Sequence, residues 1–568
     1  MVGFGWRKPA NVAGTSAPAI LLSLFVATGG LLFGYDTGSI NGILAMETFR
    51  EDFSTGYIAS DGKPGMSPKE ISLIVAMLSA GTIVGALMAA PMGDRWGRRL
   101  SLIASIGIFC VGAIFQVCAY NVALLIVGRT VAGVGVGIVS VLVPVYQSEM
   151  APKWIRGTLV CAYQLSITAG LFAAAGVNIL THNIPSAAAY RIPIGLQLTW
   201  AVVLALGMLV LPETPRYLIK RGYKDAAALS LSRLRRLDIT HPALIEELAE
   251  IQANHEYELA LGPDTYKDIF FGDPHLGRRT LTGCGLQMLQ QLTGVNFIMY
   301  YGTTFFSGAG VDDPYLISLI MQIINMVSTF PGLFVVESWG RRRLLIVGSI
   351  GMAICQLLIA SFATATGDSN QPVQNQILII FVAIYIFFFA ASWGPVVWVV
   401  TAEIYPLKVR AKSMSVSTAS NWLLNFGIAY GTPYLVNTSS KGKGETEYLG
   451  SRVFFVWGAF CILSIAFVWC MVYETSKISL EQIDEMYERV DHAWNSRDFE
   501  PSWSFQQMRD FGFSESGIPP TEPQLELQPS RTSTSQSDTG GSSTTNTTTT
   551  GSQDDKVLTQ LGHVDFSY

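Results

Sequence analysis

Long apolar runs separated by short polar junctions occupy the chain from about residue 18 to residue 473. A helix of about 20 predominantly apolar residues spans the hydrocarbon core of a bilayer. Twelve runs approach that length, near residues 18–40, 71–92, 100–119, 122–147, 155–178, 193–211, 280–306, 315–336, 344–364, 377–400, 412–435 and 452–473. The pattern predicts an all-α membrane protein with twelve transmembrane helices.

The composition agrees with a chain that lies mostly in a lipid bilayer. Half of its residues are hydrophobic and 14% are charged, whereas about a quarter of the residues of soluble domains are charged. The net charge of −5 is spread over loops and the tail, so no nucleic-acid partner is expected. The six histidines lie outside the runs and the seven cysteines lie inside them. We therefore expect no metal site, no disulfide framework and no cofactor.

Lysine and arginine are concentrated in the junctions that follow even-numbered runs, with ten of them in the segment 212–279. Positively charged loops stay on the cytoplasmic side of a membrane. Both chain termini are therefore predicted to be cytoplasmic. Arg7 and Lys8 precede the first run without a small-residue cleavage site, which favours an uncleaved first helix over a signal peptide.

The polar junctions recur in the second part of the chain. The recurrences are Trp96-Gly97-Arg98-Arg99 as Trp339-Gly340-Arg341-Arg342, Glu149 as Glu403, and Glu213-Thr214 as Glu474-Thr475. The offsets are 243, 254 and 261 residues, a drift that small loop insertions explain. The repeat predicts two six-helix halves of the same orientation, with a substrate site between them near the bilayer midplane.

These features predict five segments along the chain. They are a cytoplasmic amino terminus 1–17, a first half 18–211, cytoplasmic linker helices within 212–279, a second half 280–473 and a cytoplasmic tail 474–568. From about residue 529 the composition is rich in Ser, Thr, Asn and Gly, which predicts disorder because such a segment cannot bury a core.

Three amide side chains, those of Gln290, Gln291 and Asn296, lie inside the seventh run. Amides at membrane depth are costly unless polar groups meet them. Each amide offers donors and acceptors, which suits a neutral ligand with many hydroxyls. Hydrogen bonding between helices is the alternative for an isolated amide, and we apply that alternative to Asn425. For the cluster of three we favour a sugar.

Four longer motifs identify a resemblance. They are Gly93-Asp94-Arg95-Trp96-Gly97-Arg98-Arg99, Pro212-Glu213-Thr214-Pro215-Arg216, Gln290-Gln291-Leu292-Thr293-Gly294-Val295-Asn296 and Val336-Glu337-Ser338-Trp339-Gly340-Arg341-Arg342. Together they resemble the signatures of the sugar porter family within the major facilitator superfamily, and fungal hexose transporters in particular. The resemblance implies the major facilitator fold, alternating access, no covalent chemistry, and a hexose substrate, with glucose favoured.

The resemblance also implies which residues contact the sugar and which cover it. The implied substrate contacts are Gln164, Gln290, Gln291, Asn296, Asn325, Trp398 and Asn421. The indole ring of Trp398 suits contact with a sugar, since the apolar face of a pyranose stacks on an aromatic ring. Tyr300 and Tyr301 resemble residues that cover the site from outside, although bare aromatics also suit a helix core.

An inner gate is a further implication. The residues that the resemblance assigns to it are Asp94, Arg95, Arg98, Arg99, Glu149, Arg156, Glu337, Arg341, Glu403 and Arg410. In that arrangement an ion-pair lattice closes the cytoplasmic side while the site faces outward. Positive-inside topology and turn chemistry explain the same arginines and glycines without a gate.

Asp36 and Arg129 are ionisable residues within the first and fourth runs, where an unpaired charge is expensive. In proton-coupled relatives an aspartate and an arginine at these positions pair, and protonation of the aspartate is linked to movement. Passive yeast carriers keep the aspartate as well. Proton symport and facilitated diffusion therefore both stay open.

A transporter-like glucose receptor is the rival to a carrier, with the tail acting on signalling partners. The tail exceeds what transport requires but is far shorter than the tails of yeast sugar sensors. Either protein would lie in the plasma membrane. Asn437 begins a glycosylation sequon on a predicted outer loop, Asn437-Thr438-Ser439.

Overall fold

The computed structural model describes residues 13–58, 64–152, 155–260, 265–272, 275–308, 313–366, 371–406, 409–436, 452–476, 478 and 480–499. Within these ranges the chain is almost entirely helical, and its helices form the two bundles that the repeat predicts. The prediction of an all-α membrane protein is confirmed.

The first bundle contains the first six spans. Its helices are α1 (Ala17–Ala27) and α2 (Gly29–Ile43), which together form the first span, then α4 (Pro68–Trp96), α5 (Arg98–Val117), α6 (Val122–Met150), α7 (Arg156–Thr181) and α8 (Ala188–Val210). Between α2 and α4 the short helix α3 (Glu47–Asp52) precedes an antiparallel pair of strands, β1 (Tyr57–Ile58) and β2 (Pro64–Gly65).

Four short helices connect the bundles, and the second bundle follows. The connecting helices are α9 (Pro215–Lys220), α10 (Lys224–Arg235), α11 (Pro242–Ala260) and α12 (Asp268–Phe271). The second bundle contains α13 (Leu276–Leu292), α14 (Val295–Gly308), α15 (Pro314–Trp339), α16 (Arg341–Thr366), α17 (Gln371–Phe388), a π-helical turn (Phe389–Trp393), α18 (Gly394–Glu403), α19 (Arg410–Val436) and α20 (Val453–Met471). Helix α21 (Leu480–Arg489) and a 3₁₀ turn (Ala493–Asp498) come last.

Ten helices of the described residues are long and apolar enough to cross a membrane. The seventh span, made of α13 and α14, and the eleventh, α19, are not among them. Helices α13 and α14 have 17 and 14 residues, so neither reaches the length of about 20 residues that a single spanning helix needs. These two spans also carry most of the predicted sugar amides, and amides lower hydropathy.

The seventh run, which the sequence presents as continuous, is broken in the structure. Thr293 and Gly294 separate α13 from α14, and Gly294 has a φ of +86°, which favours glycine. A Cβ atom at this position would lie 2.6 Å from Trp457 Cγ. The break frees backbone groups beside a cavity, where a membrane protein tolerates them. Gln356 Nε2 and the Tyr385 hydroxyl donate to the Thr293 carbonyl.

Glycines also allow close packing inside the first bundle. A Cβ atom on Gly133 of α6 would lie 2.1 Å from the Leu78 carbonyl oxygen of α4. Small residues at such crossings let two backbones approach in a membrane. The two bundles then pack on each other through α2 with α14, α4 with α19, and α7 with α15 and α18.

Candidate substrate site

A cavity of about 70 Å³, measured as the space open to the centre of a water molecule, lies between the two halves. All seven predicted substrate contacts line it: Gln164, Gln290, Gln291, Asn296, Asn325, Trp398 and Asn421. The second half supplies six of the seven. The structure thus brings together residues that are up to 257 positions apart in the chain.

Gln291 is the centre of the amide network. Its Nε2 donates to Asn421 Oδ1 over 2.8 Å, and its Oε1 accepts hydrogen bonds from Asn296 Nδ2 and Asn425 Nδ2. Asn421 Nδ2 in turn donates to Gln290 Oε1 over 3.0 Å. Because each amide is held by another, their free donors and acceptors are pre-positioned for a ligand.

Gln290 connects α13 to the broken tenth span. Its Nε2 donates to the backbone carbonyls of Trp393, over 2.8 Å, and Gly394, over 3.2 Å. These carbonyls stand where the π-helical turn passes into α18, so Gln290 satisfies backbone groups at the irregularity. One turn earlier Gln287 accepts from Asn421 Nδ2 at 2.7 Å and donates to Thr401 at 3.3 Å.

Two buried polar atoms on the cavity wall, Thr37 Oγ1 and Asn325 Oδ1, have no protein partner within the described residues. Buried polar groups are almost always paired in proteins. Unpaired atoms that face a polar cavity are therefore candidates for contact with a ligand or with water. Thr37 and Gln164 belong to the first half, opposite the amide network.

Trp398 forms part of the wall between α18 and α7. The helix begins at Gly394-Pro395, directly after the π-helical turn, and Trp398 lies one turn further on. Its ring meets Tyr163 of the first half edge to face, with centroids 6.0 Å apart. An indole in this place offers an apolar surface beside the amides.

The two halves contact each other on the predicted outer side of the cavity. Asn41 of α2 accepts a hydrogen bond from the Thr303 backbone of α14 and donates to Ser318 of α15. Tyr300 donates to Asn425 Oδ1 and Tyr301 to the Ala429 carbonyl, so both tyrosines tie α14 to α19. The Asn41 contacts join the two halves, and the tyrosine contacts hold α14 against α19 within the second half.

The predicted gating residues form two matching clusters, one in each half. In the first, Arg98 contacts Glu149 over 3.0 Å and Asp94 over 3.6 Å, and Glu213 accepts from the backbone N–H groups of Arg98 and Arg99. Burial raises the pKa of the Glu213 carboxyl above its usual value. Arg99 donates to the Met208 carbonyl, and the Arg95 carbonyl accepts from Tyr217. These contacts fix the start of α5.

The second cluster repeats the first. Arg341 contacts Glu403 over 3.0 Å and Glu337 over 2.9 Å, and Glu474 accepts from the backbone of Arg341 and Arg342. Arg410 donates to the Tyr405 carbonyl. The recurrence of identical contacts gives the sequence repeat a structural basis.

The ion pairs named above join residues of the same half. Contact between the halves comes instead from the start of α7, where a Cβ atom on Gly157 would lie 2.5 Å from Glu337 Oε1. Arg156 begins that helix. The clusters therefore shape the two surfaces that meet on the predicted cytoplasmic side.

Asp36 and Arg129 are paired in the first half, as the sequence led us to expect. Both Nη atoms of Arg129 lie 3.4 Å from a carboxylate oxygen of Asp36, and the side chains are 1% and 0% exposed. Asp36 precedes Thr37, whose hydroxyl faces the cavity. The ion pair is thus one residue from the candidate site, although neither partner lines it.

Sequence reasoning missed some residues of the cavity wall. They are Phe33, Thr37, Phe389, Trp422 and Asn425. The sequence assigned Asn425 to hydrogen bonding between helices, but a helical period places residues i and i+4 on one face, so Asn425 shares the face of Asn421. No sequence pattern of this kind identifies Thr37 as a cavity residue. Asn437 and the tail from residue 500 lie outside the described residues.

Two repeated halves of membrane-spanning helices, with a polar cavity between them, define a membrane transporter. The chain belongs to the family described as "Sugar (and other) transporter", whose model matches residues 22–487. The predicted fold and the resemblance to sugar porters are confirmed by this match.

Several similar proteins have names that state a function. The chain is 72% identical to the probable glucose transporter rco-3 of Neurospora crassa, over 99% of both chains. It is 41% identical to the high glucose sensor RGT2 of Saccharomyces cerevisiae, over 84% of this chain and 62% of that one. Among solved structures, the proton:xylose symporter XylE bound to 6-bromo-6-deoxy-D-glucose is similar, with a TM-score of 0.70, 25% identity, and coverage of 83% of this chain and 100% of that chain.

Proposed function

We propose that this chain is a hexose carrier of the plasma membrane, with glucose as its substrate and both termini in the cytoplasm. The observation that carries the proposal is the enclosed cavity, because seven predicted sugar contacts from both halves line it. The relative from Neurospora crassa, named as a probable glucose transporter, supports glucose in particular. The amides replace the water around the sugar's hydroxyls, and Trp398 covers an apolar face.

The strength of binding follows from the kind of contact. Five or six neutral hydrogen bonds contribute a net ~1 kcal/mol each, and ordering of the sugar offsets part of this sum. The result is an affinity of roughly micromolar to millimolar. A carrier needs such an affinity, since tight binding would hold the sugar inside the cavity and slow its release.

Alternating access uses the two halves as units. The contacts of Asn41 with Thr303 and Ser318 hold the halves together on the predicted outer side, and the approach of Gly157 to Glu337 does so on the predicted cytoplasmic side. Opening one side while the other stays closed exposes the cavity to one solution at a time. The irregular segments at Gly294 and at the π-helical turn supply the bends for local movement.

Labelled glucose uptake in yeast that lacks its own hexose carriers tests the function. We expect saturable uptake when the wild-type chain reaches the plasma membrane, and none with an empty vector. Competition with fructose, mannose, galactose and xylose then ranks the substrates. Correct localisation without uptake of any of these sugars would reject the carrier.

The Asp36–Arg129 pair supports two modes of transport. XylE, named as a proton:xylose symporter, supports coupling to protons, whereas the ion pair by itself leaves facilitated diffusion open. External pH during uptake separates the modes, because symport makes the medium alkaline when sugar is added. If the external pH stayed constant at every sugar concentration, symport would be rejected.

Asp36→Asn is expected to lower the maximal uptake rate in either mode, by about tenfold or more. The substitution leaves the buried Arg129 guanidinium without its counter-charge, which costs several kcal/mol. In symport it also removes sugar-induced alkalinisation and accumulation against a gradient. Asp52→Asn is the control, since Asp52 lies on the outer helix α3 and accepts only from Tyr190. Full alkalinisation in Asp36→Asn would exclude Asp36 as the proton site.

A glucose receptor is the second candidate function, and one observation favours it. Identity to the sensor RGT2 is 41%, whereas identity to two low-affinity glucose transporters is 35% and 36%. Removal of residues 495–568 separates the functions. Intact uptake with lost transcriptional responses to glucose would support a receptor, and unchanged responses would reject signalling through this tail.

A further inference from the structure

Asn425 connects the amide network of the cavity to the other half of the protein. Its side chain is buried, and its Oδ1 accepts a hydrogen bond of 2.8 Å from Ser79 Oγ on α4. Tyr300 donates to the same oxygen over 3.2 Å, while Asn425 Nδ2 donates to Gln291 Oε1 over 3.4 Å. One amide therefore joins the first half, the upper part of the seventh span and the centre of the candidate site.

Ser72 shows what a simpler contact at this interface is like. It lies about two turns before Ser79 on the same helix, and its hydroxyl donates to the Tyr430 carbonyl of α19 over 2.8 Å. Both serines thus bond across the same pair of helices at the same distance. The Ser72 bond ends on a backbone carbonyl, whereas the Ser79 bond ends on a side chain that touches Gln291.

We propose that Asn425 is a positioning residue that couples occupancy of the sugar site to closure of the two halves, and that the Ser79–Asn425 hydrogen bond is the contact made on closure. The proposal rests on the hexose-carrier function proposed above. Helices α4 and α19 belong to different halves, so opening of the cavity toward the outer side separates them and breaks this bond.

The coupling has a simple physical origin. A ligand shifts a conformational equilibrium only through a difference in its affinity for the two states. A sugar hydroxyl on Gln291 adds a further partner to the amide that accepts from Asn425, so the Asn425 side chain is held more firmly when Ser79 approaches. The bond then forms at a lower entropic cost in the loaded carrier than in the empty one.

Kinetics of labelled glucose distinguish coupling from packing. Equilibrium exchange at saturating sugar uses only the loaded carrier, whereas net uptake into sugar-free vesicles also requires the empty carrier to return. We expect Ser79→Ala to lower the maximal rate of exchange by about fivefold, the factor that corresponds to ~1 kcal/mol. The ratio of exchange to net uptake falls with it. Ser79→Thr, which keeps the hydroxyl, is expected to restore the ratio.

Ser72→Ala is the matched control, because it removes a bond of equal length between the same helices. We expect it to change exchange and net uptake by one common factor. If Ser79→Ala also changed both rates by one common factor, the bond would be ordinary packing and the coupling would be rejected. Absence of uptake by the wild-type protein would instead reject the carrier function itself, and the coupling with it.

Discussion

Gln291→Ala is expected to lower the ratio of maximal rate to KM for glucose uptake by about 100-fold. The substitution removes one amide of the proposed sugar site, and it leaves Asn421, Asn296 and Asn425 without the partner that positions them. Two lost hydrogen bonds and a buried amide without its partner correspond to ~3 kcal/mol in the transport barrier. Initial rates over a range of glucose concentrations measure the ratio, with surface expression determined in parallel.

Gln116→Ala provides the control for loss of a buried amide. Gln116 is also a buried glutamine in a transmembrane helix, α5, but it does not line the cavity. We expect uptake within about twofold of the wild type for this variant. Equal effects of the two substitutions would mean that Gln291 acts through stability, and unchanged uptake in Gln291→Ala would reject the proposed site.

The seventh span shows how far the sequence alone predicts this site. Gln290, Gln291 and Asn296 are unusual at membrane depth, so the residue pattern by itself reveals their chemistry. The pattern does not show that Gly294 breaks the helix between them. That break depends on the packing of Trp457, a residue of the twelfth span, and no local signal contains such a contact.

Asn425 is a cavity residue whose place the sequence did not predict. As an isolated amide it fits hydrogen bonding between helices, and in the structure it makes such bonds with Ser79 and Tyr300. It lines the cavity as well. Packing and ligand contact are therefore not alternatives for this side chain, and the sequence could not reveal this because both partners are distant in the chain.

Arg341→Ala is expected to shift the protein toward states that are open on the predicted cytoplasmic side. The guanidinium holds the carboxylates of Glu337 and Glu403 together, and Glu337 in turn lies against the backbone of α7 at Gly157. Without the arginine two carboxylates face each other without a counter-charge and repel. The surface that meets α7 then loses its shape, and the inner contact between the halves weakens.

Cys161 reports this opening, because it lies one turn after Gly157 on α7 and is fully buried. In a background without the other six cysteines, we expect a thiol reagent applied from the cytoplasmic side to modify Cys161 about tenfold faster in Arg341→Ala than in the parent, as a shift of ~1.4 kcal/mol between states predicts. Arg343→Ala is the matched control, since this neighbour is exposed and forms no ion pair in the described part of the chain.

Gly157→Val tests the same inner contact without removing a charge. A Cβ atom at this position meets Glu337 Oε1 at 2.5 Å and Arg341 Nη2 at 3.2 Å, so the Glu337 carboxylate must move away from α7 to accommodate the valine. We expect faster modification of Cys161 in this variant too, with the Arg341–Glu403 pair intact. If both variants kept the parent rate while Cys161 remained reactive in the denatured protein, closure of the cytoplasmic side would not depend on this contact, and the two clusters would serve only to fix the ends of their own helices.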